Sequence, residues 1–258
     1  MISSQDGLRV GALYDIHGML EPLEAVLREL EHEQVDAVLI GGDAVSGPQP
    51  AETLELLRSL GTPTHWIRGN GERALGEDGA DAVMGGEGAE PSLRFTASQL
   101  TEDDRRELSS LPERLTLEVN GLGETLFCHA SPWNDLDIVT PGTPDARFRS
   151  LLEGVSERVV VAGHTHMQLD RTVDGVRWVN PGSIGMPYEG EVAAFWALLG
   201  PEVELRRTPF DVDRAADALL ASGWPEAESF VEENVRAAVP REEAVTLFEQ
   251  IARDRGER

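Results

Sequence analysis

Four of the six histidines in this chain fall, with two carboxylates and an amide, into five short polar segments that each follow an apolar run. In chain order these are Asp15-Ile16-His17, Gly42-Asp43, Gly69-Asn70, His129 and Gly163-His164-Thr165-His166. Imidazole nitrogens mixed with carboxylate and amide oxygens are donors that divalent transition metals accept. One such segment alone means little, because an Asp or His at a strand end is commonly a hydrogen-bonded cap. Together they offer oxygen from Asp15, Asp43 and Asn70 and nitrogen from His17, His129, His164 and His166. That set is too large for one tetrahedral ion and suits two ions sharing a bridge. In extended backbone, residues i and i+2 point to one side. Asp15 with His17, and His164 with His166, are therefore each expected to aim at one centre from an extended segment.

Convergence of this kind needs strands lying side by side with their carboxyl ends at one edge. Leu8 to Tyr14 and Val35 to Ile40 are apolar runs, each followed by a helical signal. Leu20, Leu23, Val26, Leu27 and Leu30 recur at helical spacing, and Pro50 opens a second helix with Leu54, Leu57 and Leu60 as its stripe. His65-Trp66-Ile67 is a third run. Strands alternating with helices predict a largely parallel sheet with its carboxyl-end loops free for chemistry. Residues 71–91, rich in Gly and acid, are expected as a surface loop.

Thr101 to Asp104 has the form of a capping box. Beyond it the period becomes two. Leu115, Leu117 and Val119 alternate, Asn120-Gly121 turns the chain, and Thr125 to Cys128 returns. Val159 to Ala162 is a buried run, and Leu169 to Val173 pairs through Asp174-Gly175 with Val176 to Val179. Val192 to Leu199 and Val203 to Arg207 complete the strands. A main domain over 1–210 is expected, with 211–258 a helical extension packed on it and broken at Pro225 and Pro240.

With 258 residues, 40% hydrophobic and 27% charged, the chain can bury a core, which excludes fibrous and wholly disordered classes. There are 47 acids against 22 bases, a formal charge of −25, and with no Lys every base is Arg. Such a chain repels duplex nucleic acid and anionic membranes, so neither is expected as a partner. It also repels an anionic substrate unless bound metal reverses the local field. Cys128 is the only cysteine, which rules out an intrachain disulfide and fits a reducing cytoplasm. Residues 1–6 lack the features of a secretory signal, and no apolar run approaches the ~18 residues of a membrane span. A cytoplasmic protein is expected.

The ordered set Asp-x-His, Gly-Asp, Gly-Asn, His, Gly-His-x-His resembles the calcineurin-like metallophosphoesterases over roughly Leu8 to Leu199. His129-Ala130-Ser131-Pro132 and Asn180-Pro181-Gly182-Ser183 are most similar to the small bacterial and archaeal phosphodiesterase branch. The resemblance implies an α/β fold, a four-layer αββα sandwich of two mixed sheets flanked by helices, with a two-metal site at one edge. Carried over, Asp15, His17 and His166 hold one metal, Asn70, His129 and His164 the other, and Asp43 bridges them. Asp15, His17, Asp43, Asn70 and His129 are also implied as catalytic. A metal-bridging hydroxide would attack a phosphodiester or an activated phosphomonoester of small size. The implied cofactors are two divalent transition-metal ions, manganese first, with iron, zinc or nickel as alternatives. A metal-binding interaction scaffold of the same fold is the second reading, countered by the completeness of the donor set.

Two departures stand out. Many relatives carry a His after Gly-Asn that protonates the leaving group, whereas this chain has Gly71 and then Glu72. Glu72 or a water is the next candidate acid, and Gly71 is a position where φ > 0 could be required. The stretch Gly41 to Gly47 lacks the Arg of protein phosphatases, which removes a bidentate phosphate clamp. Trp133, Tyr188 and Glu189 are candidates to shape a substrate pocket, and Arg68 to touch a phosphate. Cys128 is expected to be a buried strand residue.

Overall fold

The computed structural model describes residues 7–76 and 90–257. The first of its two five-stranded sheets has the order β10-β9-β1-β2-β3, built from β1 (Val10–Leu13), β2 (Ala37–Ile40), β3 (Thr64–Trp66), β9 (Ala194–Leu199) and β10 (Val203–Thr208). The second runs β4-β5-β6-β8-β7, from β4 (Arg114–Val119), β5 (Gly123–Cys128), β6 (Val159–Val161), β7 (Leu169–Val173) and β8 (Val176–Asn180). The expectation of a largely parallel sheet needs correction, because both sheets are mixed. β1, β2 and β3 are parallel, while β9 pairs antiparallel with β1 and β10 antiparallel with β9; β5, β6 and β8 are parallel while β4 and β7 close the edges by hairpins.

Strand alternation makes the layers. In β1, Val10 and Ala12, with Tyr14 just beyond, face the second sheet and meet Phe127, Val159, Val161 and Val179 between the sheets. Leu13 faces the other way, into a core with Leu23, Val26 and Leu30 of α1 (Leu20–Glu33) and Leu54 and Leu57 of α2 (Pro50–Arg58). In β5, Leu126 and Cys128 point outward instead, against Phe148 and Leu151 of the helix Asp145–Leu151. Helix, sheet, sheet, helix is therefore the order of layers, in the α/β class. A strand with apolar residues on both faces can only lie inside such a stack.

Between β3 and β4 lie α3 (Asn70–Ala74), α4 (Glu90–Gln99) and α5 (Glu102–Ser109). The surface loop expected over 71–91 is thus partly wrong: residues 71–74 continue a helix, residue 90 begins one, and 77–89 lie outside the described residues. Gly71 obscured the first helix because glycine is a poor helix former. Thr101 caps α5 as its motif predicts, accepting from the Asp104 amide. Counting the helix at Asp145–Leu151 as α6, the C-terminal region folds into α7 (Val212–Ser222), α8 (Ala227–Phe230), a π-helical turn (Val231–Val235) and α9 (Arg241–Asp254). Ala215, Ala216 and Leu219 of α7 pack with Trp224, Phe230 and Met19. Among the described residues, no helix is long and apolar enough to cross a membrane.

Candidate metal centre

β1, β2, β5 and β6 end at a common edge, and the loops leaving them, with the start of α3 after β3, carry the donor residues. The local backbone is not the extended one expected from the i, i+2 spacing. Asp15 (φ 51°), His17 (52°), Asp43 (50°), His164 (67°) and His166 (59°) all adopt the left-handed conformation. That is five of the seven non-glycine residues with positive φ among those described. An extended strand would carry each second residue onward by ~6–7 Å. Alternate left-handed residues curl the chain instead, so that Asp15 and His17 aim inward from one tight loop and His164 and His166 from another. Each such residue costs about 1 kcal/mol or more.

The Asn180-Pro181-Gly182-Ser183 segment braces both loops. Ser183 Oγ donates to the Asp15 carbonyl at 2.7 Å, and Asn180 Nδ2 donates to the Gly163 carbonyl at 3.0 Å. The loops also join directly, since the His164 amide donates to Asp15 Oδ2 at 3.0 Å.

The imidazoles are oriented by carbonyls. Nδ1 of His17 lies 3.1 Å from the Ser46 carbonyl, Nδ1 of His129 2.9 Å from that of Gly41, and Nδ1 of His166 2.7 Å from that of Met186. A carbonyl only accepts, so each Nδ1 carries the proton and each Nε2 presents a lone pair in the neutral ring. Nε2 of His17 faces Nε2 of His166 at 3.1 Å, and Nε2 of His129 faces Asn70 Oδ1 at 3.1 Å. Asp15 Oδ1, fully buried, lies 3.4 Å from His166 Nε2 and 3.9 Å from those of His17 and His129, with no hydrogen bond among the described residues. Acceptors crowded on acceptors around an unsatisfied carboxylate fit divalent cations and little else.

Two donor groups meet here, Asp15 with His17 and His166, and Asp15 with Asp43 and His129, the donor atoms of each lying within 4.8 Å of one another. Asp43 reaches toward both, with Oδ2 4.0 Å from His17 Nε2 and Oδ1 3.7 Å from His129 Nε2. His164 packs its ring against His129, centroids 5.2 Å apart. Five of the seven sequence-identified residues thus share these two groups, and Asn70 and His164 adjoin them through His129.

Burial pushes the Asp15 carboxyl up, but the surrounding His166, His129 and His17 outweigh it and hold it well below the carboxylate range. Burial, then the neighbouring His129, lowers His164 to about 4. Burial also lowers His17. For His129 burial again opposes charging, yet Asp43 and Asp15 raise it overall.

Glu72 is not placed as a leaving-group acid. Its buried carboxylate accepts from the amides of Asp43 (2.8 Å), Ala44 (2.8 Å) and Gly69 (2.9 Å), tying the β2 loop to the start of α3. Burial, then the neighbouring Asp43, raises its pKa. The suspected positive φ at Gly71 is also absent, for Gly71 is helical and its amide donates to Asp43 Oδ1 at 2.7 Å. Space there is tight: a Cβ would displace the Ser46 hydroxyl and press on Asp43 Oδ1.

The remaining candidates make the following contacts. Arg68 donates to the Ser109 carbonyl and pairs with Glu113. Glu189 accepts from the Gln168 amide and pairs with Arg241 of α9. Tyr188 stacks on His166 at 5.1 Å and burial pushes its hydroxyl up to about 12. Trp133 is half exposed beside a recess that reaches His129. Cys128 is buried, and burial raises its thiol pKa, which keeps it inert.

A pocket of about 200 Å³ opens beside His17, Asp43 and Asn70. Ser46, Leu93, Met186, Trp224 and Glu226 complete much of its wall. No local pattern marks them for this role. Apart from Ser46, they belong to no motif, and Trp224 lies far from the donor segments along the chain.

The calcineurin-like phosphoesterase superfamily domain matches residues 8–199 of the chain. An uncharacterised protein of Methanocaldococcus jannaschii is 25% identical over 240 residues, covering 84% of this chain and 94% of that protein. Among solved structures, a hypothetical protein from Pyrococcus horikoshii is similar with a TM-score of 0.77 at 22% identity, over 86% of this chain and 97% of its own. A metallophosphoesterase from Sphaerobacter thermophilus gives a TM-score of 0.73 at 25% identity, over 91% and 100%. The matched span carries all seven donor residues and β1 through β9. By that span and its two-sheet sandwich, the chain belongs to the calcineurin-like phosphoesterase superfamily.

Proposed function

We propose that this protein is a dinuclear phosphoesterase that hydrolyses small phosphodiesters or activated phosphomonoesters in the cytoplasm. The observation that carries the reading is the convergence of imidazole Nε2 lone pairs on the unsatisfied Asp15 Oδ1. Asp15, His17 and His166 would hold one metal, and Asn70, His129 and His164 the other, with Asp43 between them. When bound, such a pair lowers the pKa of a coordinated water to about 7 and stabilises charge on phosphoryl oxygens.

The chain's own residues supply order. Carbonyls of Gly41, Ser46 and Met186 fix the tautomers of three imidazoles, leaving every Nε2 free to coordinate. Glu72 holds the Asp43 backbone, and the Gly71 amide holds its Oδ1, so the proposed bridge is positioned from two sides. Gly71 brings no proton to the leaving group, which favours esters of acidic alcohols. Mixed nitrogen and oxygen donors accept several metals, and manganese is the first to try.

The deciding experiment is a turnover screen of metal-reconstituted protein across model diesters, cyclic nucleotides and monoesters. Chelation should abolish hydrolysis of an activated aryl diester, and Mn²⁺ should restore it. Protein that binds two metals yet turns over nothing in the screen would instead be a scaffold of the same fold.

A further inference from the structure

Resting on that reading, we propose that the pocket beside His17, Asp43 and Asn70 receives the leaving group and selects an uncharged alcohol the size of a single ring. The pocket shares His17, Asp43 and Asn70 with the metal centre, so an ester whose phosphorus sits among the donor residues can direct one substituent into it. Its outer wall comes from α4, through Leu93, and from the corner between α7 and α8, through Trp224 and Glu226. That corner lies beyond residues 8–199, so the C-terminal extension adds a wall that the matched domain does not contain.

Size and charge set the selection. A volume of about 200 Å³ is below the ~300–1,000 Å³ typical of drug-sized sites, which admits one ring and not a dinucleotide. Leu93, Met186, Ala74 and Trp224 give it an apolar lining. No Arg lines it among the described residues, and its charged side chains beyond the donor residues reduce to Glu226. A second phosphate or a carboxylate on the alcohol would therefore enter without a counter-charge and beside Glu226. A neutral ring would meet apolar surface, with the hydroxyls of Ser46 and Ser92, neither of them hydrogen-bonded among the described residues, able to rotate toward a polar substituent.

The recess on the other side, beside His129, fits a leaving group less well. Its one well-placed cation, Arg73, is held by Asp135 through two contacts of 2.6 and 2.8 Å.

The test compares 4-nitrophenyl phosphate with a nitrophenyl phosphate that carries a ring carboxylate and has a matched phenol pKa. Binding of phenylphosphonate and 4-carboxyphenylphosphonate to the metal-loaded protein is measured by calorimetry alongside. In the wild type the carboxylate should lower kcat/KM about tenfold or more, mostly through KM, and weaken phosphonate binding similarly. Glu226→Arg, an exposed change whose folding is checked by melting, should narrow both gaps at least threefold. Equal kcat/KM values and equal affinities in the wild type would overturn the subsite, as would gaps that Glu226→Arg leaves unchanged. If neither monoester is hydrolysed, the diester and cyclic-nucleotide screen decides the proposed function, while the phosphonate affinities still decide the subsite without turnover.

Discussion

Nε2 of His17 and Nε2 of His166 stand 3.1 Å apart, and neither can donate to the other because each ring's proton is held at Nδ1 by a carbonyl. Two lone pairs in contact repel unless a cation lies between or beside them. Metal-loaded protein should therefore contain close to two ions per chain and melt well above chelated protein. A ligand at one hundred times its Kd contributes about 2.7 kcal/mol, so the shift should be several degrees. Metal analysis paired with melting curves checks this, and a melting temperature indifferent to chelation contradicts it.

Asp43 faces both donor groups, whereas Asn70 contributes a neutral oxygen beside His129. Asp43→Asn should lower kcat more than Asn70→Ala, by about tenfold or more, because it withdraws charge shared by two cations. Kinetics with metal content measured in parallel will show it. Equal residual activity would remove the bridging role.

Glu72 supports that bridge without touching substrate. Glu72→Gln replaces one carboxylate oxygen by a donor that faces an amide donor, a loss of about 1–3 kcal/mol in stability. Metal affinity should fall with it, and Glu72→Asp should not restore it, since the shorter chain cannot reach all three amides. Denaturant unfolding and metal titration read the two effects separately.

Gly71 determines dependence on the leaving group. With no side-chain acid there, rates should fall steeply as leaving-group pKa rises, since a general acid contributes ~10²–10⁴-fold. Gly71→His alone should strain the loop, because its Cβ displaces the Ser46 hydroxyl and presses on Asp43 Oδ1. Gly71→His with Ser46→Gly makes room, and should flatten the dependence of kcat on leaving-group pKa. A shallow slope in the wild type, with chemistry rate-limiting, would mean that another acid acts.

His164 gives a pH signature in metal-free protein. Its folded pKa of about 4 lies below the ~6.5 of an unfolded His. The unfolded chain thus binds more protons between those values, and this residue's contribution is lost as pH falls from about 6.5 to about 4. His164→Gln should flatten the stability profile across that window relative to wild type.

The donor residues were legible because chemistry constrains residue type, and a strand followed by Asp or His keeps its order in the sequence. The paired hairpins were legible from period-two alternation and from Asn120-Gly121 and Asp174-Gly175. The backbone of the donor loops was not, since Asp-x-His spacing suits an extended strand as well as alternate left-handed residues. Helix α3 escaped notice behind Gly71, and α6 behind the short run Phe148 to Leu152. The Trp224 wall escaped because proximity across more than fifty residues of helix and strand leaves no local pattern. Glu72 is only a candidate acid in the sequence, which shows its carboxyl and not the three amides that consume it.

Left-handed backbone at Asp15, His17, Asp43, His164 and His166 sets thermal endurance against metal capture. Glycine at any of these positions would relieve the local backbone cost while deleting a donor. A library of this chain selected for heat resistance without metal should accumulate Gly or Asn at those five positions. The same library grown with metal and selected for ester hydrolysis should purge them. The chain's most durable relatives in the first experiment would be the ones that had lost their chemistry.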